Sequence, residues 1–203
     1  CAPFKWTGEN ISSQRIEGGI QLASFLCQIS LHYPNEKIRL VGHSHGGNVI
    51  LFALATLARI CNCSTPLIDA VVLIATPQVI ASYGNMDVPV YSTEDGIGMI
   101  KNKNLLQIFS EEDEVQTTLA SCLVAGEVSV PPQIDGTPFT KLHVRRMISG
   151  YPIQPIKTDG GWLDAHGILH NRQMGRYVGY RLIGQDHQTA MKNSQLTLPL
   201  EDE

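Results

Sequence analysis

Apolar positions recur along this chain with two periods, and the alternation between them outlines the fold. Ile16, Ile20, Ala23, Cys27 and Ser30 fall on one face at helical spacing, widened by Leu22, Leu26 and Ile29. The spacing predicts an amphipathic helix over 13–32, capped by Ser12 or Ser13 and stopped by Tyr33-Pro34-Asn35. Ile38, Arg39, Leu40 and Val41 read as a short strand, and a second helix starts at Gly47 and runs to about Arg59. Residues 68–75 are almost continuously apolar and rich in β-branched types, which suits a parallel strand covered on both faces.

Further along, 88–92 reads as a strand with Pro89 at its start, where a missing amide is tolerated. Leu105, Leu106, Ile108 and Phe109 carry a helix pattern, 140–148 alternates as a last strand, and 149–161 is a Gly/Pro-rich loop. Met174, Tyr177, Val178 and Leu182 predict a final helix over 171–182, and Phe4-Lys5-Trp6 reads as the end of a strand. Strand and helix thus alternate with short links. That order predicts an α/β domain over 1–184, with a mostly parallel sheet and helices on both faces, and a polar tail over 185–203.

Composition narrows the class. The chain has 203 residues, 43% hydrophobic and 17% charged, which fits one globular domain with a substantial core. A net charge of −4 without a Lys/Arg-rich run argues against nucleic acid as a partner, and no stretch is apolar enough to span a membrane. The five cysteines (1, 27, 61, 63 and 122) follow no framework spacing, so free thiols in a reducing, cytoplasmic setting are expected.

The chemistry gathers at Gly42-His43-Ser44-His45-Gly46. A serine inside G-x-S-x-G, between a strand and a helix, is the pattern of a nucleophile elbow. A serine hydroxyl needs a positioned base, and the base a carboxylate, supplied in the order Ser, acid, His from later strand ends. Asp95, in Thr93-Glu94-Asp95-Gly96 after the strand at 88–92, is the expected acid, with Glu94 as the alternative. His166, before Gly167 and ahead of the last helix, is the expected base, with His170 as the alternative. The backbone N–H of His45 is the expected oxyanion donor. His43 and His45 are expected to shape the pocket and the helix start.

Competing metal chemistry is disfavoured. Cys61-x-Cys63 has no second pair, and His166-x-x-x-His170 lacks the glutamate of a zinc hydrolase, having Gly167 in its place. No cofactor is expected. The acidic run Glu111, Glu112, Asp113, Glu114 reads as a solvated face.

On these segments the chain resembles the α/β-hydrolase superfamily, in its serine lipase/esterase branch. GHSHGGN resembles the elbow, VYSTEDG the acid-bearing turn, DAHGILHNRQMG the histidine loop and closing helix, and FKWTGEN a segment ahead of the first helix in lipase-like members. The resemblance spans about residues 4–183. It implies a Ser44–Asp95–His166 triad cleaving a small-molecule or lipid acyl ester, and 102–135 falls where a lid would. The family's sheet also has an earlier strand beside the nucleophile strand, whose following loop gives a second oxyanion amide. No such strand precedes Phe4, so the nucleophile strand is expected at an open edge, with the missing part upstream in a longer protein. A hydrolase-like domain that binds a ligand without catalysis is the alternative.

Overall fold

The structure is a computed structural model that describes residues 3–9, 11–60, 66–83, 86–89, 94–109, 127–130, 140–144, 172–196 and 200–202. In chain order the elements are α1 (Ser12–His32), β1 (Ile38–His43), α2 (His45–Ile60), β2 (Ile68–Ile74), β3 (Gln78–Tyr83), β4 (Met86–Pro89), α3 (Glu94–Gly98), a 3-10 turn (Lys101–Lys103), β5 (Leu105–Phe109), β6 (Glu127–Val130), β7 (Thr140–Val144), α4 (Arg172–Leu182), α5 (His187–Ser194) and β8 (Leu200–Asp202).

The main sheet has the order β1-β2-β5-β7-β8. Its first four strands are parallel, and β8 closes it antiparallel to β7. Side chains of β2 and β5 alternate between two cores, as period-two geometry requires. Val71, Leu73 and Leu105 face α1, α2 and α3, whereas Val72, Ile74, Leu106 and Ile108 face α4 and α5. The protein is therefore an α/β domain with a mostly parallel sheet covered by helices on both faces, as the alternation of elements predicts.

Helix α2 is the centre of the first core. Val49, Ile50, Leu51, Ala53, Leu54 and Leu57 are all buried, each large side chain contributing about 1.5–3 kcal/mol. Helix α1 lies on it through a stripe of Arg15, Gly18, Gly19, Leu22, Ala23 and Leu26. Leu22, Ala23 and Leu26 belong to the face that periodicity predicts, and Ile16 and Cys27 pack at its border, but Gly18 and Gly19 lie in it and Ile20 is 51% exposed. The reason is backbone proximity: a Cβ on Gly19 would stand 2.7 Å from Phe52 Cδ1 and 3.2 Å from the Ala53 amide nitrogen. Close approach of two helices outweighs the larger apolar side chains one position away.

Other expectations shift. Neither Ser12 nor Ser13 caps α1; Ile11 holds the cap position without a side-chain bond, and Ser12 Oγ accepts from Arg15 instead. Residues 3–9 form no strand, and Phe4 and Trp6 pack on the first core. The run at 105–109 is a strand, not a helix. Its apolar residues are too few to separate the two periods, and the parallel partner β2 decides. Part of the segment read as a lid is thus core. The strand expected at 88–92 is β4, ending rather than beginning at Pro89, and it belongs to a separate antiparallel sheet of order β4-β3-β6.

Residues 185–196 and 200–202, expected as part of a tail, are more than that. Asp186 caps α5, Ala190, Ser194 and Leu196 are buried, and β8 extends the sheet. The Tyr177 hydroxyl, fully buried on α4, lies 2.9 Å from His187 Nδ1 and accepts from Arg181 at 3.3 Å, joining α5 to α4.

Candidate active site

Strand β1 delivers the chain to Ser44 and α2 takes it away. Ser44 has φ 52°, a left-handed conformation unusual for a residue with a side chain. Two backbone bonds hold it there. Ser44 N–H donates to Ile74 C=O (2.9 Å), tying it to the end of β2, and Ser44 C=O accepts from Gly47 N–H (2.9 Å). Such strain persists where the surroundings over-determine it. The half-buried Ser44 thus stands at the carboxyl end of a parallel sheet and at the positive end of a 16-residue helix.

The small residues this turn requires are not the pair the motif names. A Cβ on Gly42 would lie 2.7 Å from Gly47 Cα and 2.8 Å from Ile50 Cδ1. A Cβ on Gly47 would lie 2.5 Å from Thr76 Cγ2 and 2.7 Å from Thr76 Cβ. Gly46, the last residue of G-x-S-x-G, has open space around it. The close approach is therefore Gly42–Gly47–Thr76, which packs the first turn of α2 onto the ends of β1 and β2. Thr76 escapes sequence reading because it looks like a strand terminator. It follows Ala75, buried at φ 47° and bonded from its N–H to Ile108 C=O (2.8 Å). Two neighbouring strand ends thus carry left-handed, non-glycine residues.

Polar side chains lie buried at this end of the domain. Asn48 is fully buried, and its amide donates to His45 Nδ1 (3.3 Å), which makes that nitrogen an acceptor. The His45 ring is thereby turned back onto the first turn of α2. His45 is the first residue of the helix, where N–H groups point out along the axis. Asn48 Oδ1 and Gln107 Oε1 are buried and accept no hydrogen bond from any described residue. Gln107 sits on β5, paired with Leu73, on the sheet face that carries α2.

The structure does not bring Asp95 to this site. Asp95 is exposed on the five-residue helix α3, with Glu94 before it. Met99 C=O accepts from Ile68 N–H (3.0 Å), so the end of α3 docks at the start of β2. Ser44 is bonded to Ile74, at the other end of that strand. Six residues of strand span about 20 Å, and the four residues from Asp95 to Met99 recover only about 6 Å of it in helix. The expectation for Asp95 requires the strand at 88–92 to be a member of the main sheet. The main-sheet strand after β2 is β5 instead, and the carboxylates that follow it are Glu111, Glu112, Asp113 and Glu114. Those residues, His166 and His170 lie outside the described residues, as do Cys1, Cys61, Cys63 and Cys122. Cys27 is a half-buried free thiol.

Strand β1 is at the edge of the sheet and pairs only with β2 among the described residues, as expected. Val41 on it is 50% exposed, and an ion pair from Arg39 Nε to Asp69 Oδ2 (2.9 Å) ties β1 to β2. No helix among the described residues is long and apolar enough to cross a membrane, and no described group of His, Cys, Asp or Glu could hold a metal ion.

These features define an α/β protein with a strained serine between a parallel strand and a helix. Among solved structures, the chain is similar to lipase II from Rhizopus niveus, with 14% identity and a TM-score of 0.41. The match covers 70% of this chain and 50% of that one, so the chain spans about half the length of that lipase. No family model matches the sequence, and no curated protein does.

Proposed function

We propose that this chain carries the nucleophile of a serine hydrolase acting on carboxylic esters of small-molecule or lipid type. The observation that supports this reading most is the backbone of Ser44. A non-glycine residue at φ 52° is held between the end of β2 and the first turn of α2, as a nucleophile elbow requires. Ser44 Oγ bonds to the acyl carbon, its proton passes to an imidazole, and the carbonyl electron pair moves onto oxygen. The His45 N–H, at the helix start, donates to that oxyanion. Collapse expels the alcohol, which takes the proton from the imidazole, and water then releases the acid by the same steps.

His166 is the proposed base, with His170 as the alternative; both precede α4 in the chain. For the acid, order along the chain points to Asp95. The position of α3 favours instead the run Glu111, Glu112, Asp113 and Glu114, which begins two residues after β5 ends.

The test is labelling of the full-length protein by a serine-directed fluorophosphonate, together with p-nitrophenyl ester hydrolysis. Both are expected in the natural protein and lost in Ser44→Ala. Labelling that survives Ser44→Ala ends the assignment. A folded full-length protein with neither activity would instead be a hydrolase-like domain that binds without catalysis.

A further inference from the structure

At the end of the sheet away from Ser44 the structure holds a cavity of about 40 Å³. It lies between the starts of β2 and β5 and the last turn of α4, where Ala70, Leu105 and Leu182 line it. Its polar side chains are Asn104 and Arg181. A single water needs about 10–15 Å³ of such space, so the cavity accepts a group of a few heavy atoms. Ser44 is bonded to Ile74, four residues beyond Ala70 on β2 and about 13 Å along the strand. The cavity is therefore separate from the candidate active site.

The Arg181 guanidinium is half-buried and donates from Nη1 to the Tyr177 hydroxyl at 3.3 Å. Among the described residues it pairs with no carboxylate. A guanidinium carries five N–H donors in a planar fork, so most of them remain for another acceptor. The dipole of α4 favours a cation in its last turn, but it calls for neither a fork nor a cavity beside it. Asn104 Nδ2 donates to Asp69 C=O (3.3 Å), which leaves its second N–H.

The charges that flank the cavity along the chain favour an anion. Lys101 and Lys103 stand in the 3-10 turn that leads into Asn104. Asp69, which precedes Ala70, is held by Arg39 at 2.9 Å, so its charge is offset there. We propose that this cavity binds a small oxyanion, the carboxylate or phosphate group of a small molecule, on the fork of Arg181 with Asn104 beside it. Two oxygens of such a group match the two parallel N–H donors of the fork, whereas chloride offers a single centre. The site stands independently of the ester-hydrolase reading.

The experiment exchanges sodium chloride for sodium acetate or sodium phosphate at constant ionic strength and follows the backbone amides of the natural full-length protein by NMR. The amides of Val71, Asn104, Leu105 and Leu182 are expected to shift and to saturate, and the anion that binds more tightly identifies the group. Arg181→Gln is expected to weaken this binding roughly ten- to a hundredfold. Ala70→Val keeps every charge, suits a strand and adds two methyl groups to the cavity wall, so it is expected to abolish the saturable shifts. Absence of saturable shifts at these amides in the natural protein overturns the proposal, however the variants fold. So does a folded Arg181→Gln or Ala70→Val that binds acetate and phosphate as the natural protein does.

Discussion

Replacing Gly47 with alanine tests the packing that forms the elbow. The new methyl would stand 2.5 Å from Thr76 Cγ2 and 2.7 Å from Thr76 Cβ, and closer still to Thr76 Oγ1. Thr76 is buried and follows the strained Ala75, so it has little room to yield. Overpacking of this kind costs about 1–3 kcal/mol. Alanine at Gly46 meets nothing within 4 Å, and as a helical residue it gains up to about 1 kcal/mol over glycine. The two variants should therefore differ by about 1–4 kcal/mol. For a domain of this size that is a gap of roughly 2–16 °C in Tm, read by circular dichroism or differential scanning fluorimetry. Thr76→Ala in the Gly47→Ala background removes Oγ1 and Cγ2 but keeps Cβ, so it should restore part of the loss and not all. Equal melting temperatures for Gly46→Ala and Gly47→Ala would refute this reasoning, as would a Thr76→Ala background that restores nothing.

Leu54, fully buried at the centre of α2, should cost about 2–5 kcal/mol as Leu54→Ala in denaturant titration. Tyr177→Phe should cost about 1–2 kcal/mol, with faster amide exchange in α5 because the link to His187 is gone; unchanged exchange would separate α5 docking from that hydroxyl. For the catalytic acid, Asp95→Asn should leave ester hydrolysis near its natural rate, while one carboxylate among residues 111–114 should prove essential; a large loss at Asp95 would place α3 wrongly. Asp186 accepts from the Thr189 hydroxyl and amide, which hold its carboxyl below the ordinary value. Its contribution to α5 is then full above the unfolded-state value of about 3.9 and is lost as pH falls through the lower folded value. Asp186→Asn keeps the cap without the titration, so protection of the Thr189 amide, its exchange relative to the free peptide at the same pH, should lose its acid dependence in that variant.

Some of this was legible in local sequence. The elbow is a contiguous pattern whose backbone demands are met by neighbours in the chain, and helices α1, α2 and α4 announce themselves over many turns. The placement of Asp95 was not legible, because order along the chain does not say which strands share a sheet. The strand ending at Pro89 pairs with β3, and α3 then carries the chain back to the start of β2. Leu105 to Phe109 were misread for a related reason: five residues cannot distinguish a helix from a strand until a partner strand is known.

The sequence by itself determined the class of fold, the strand–Ser44–helix turn and the alternation that predicts helices on both faces. These depend on short-range periodicity and on glycines within a few residues of the serine. Only the tertiary structure decided that Gly47 and Thr76, rather than Gly46, set the closeness of α2 to the sheet. It alone docked the end of α3 at the start of β2, drew α5 and β8 into the fold, and buried Arg15 in the stripe of α1 that packs on α2. Each of these is a contact between residues distant in the chain, fixed by how elements pack and carrying no mark in the local pattern.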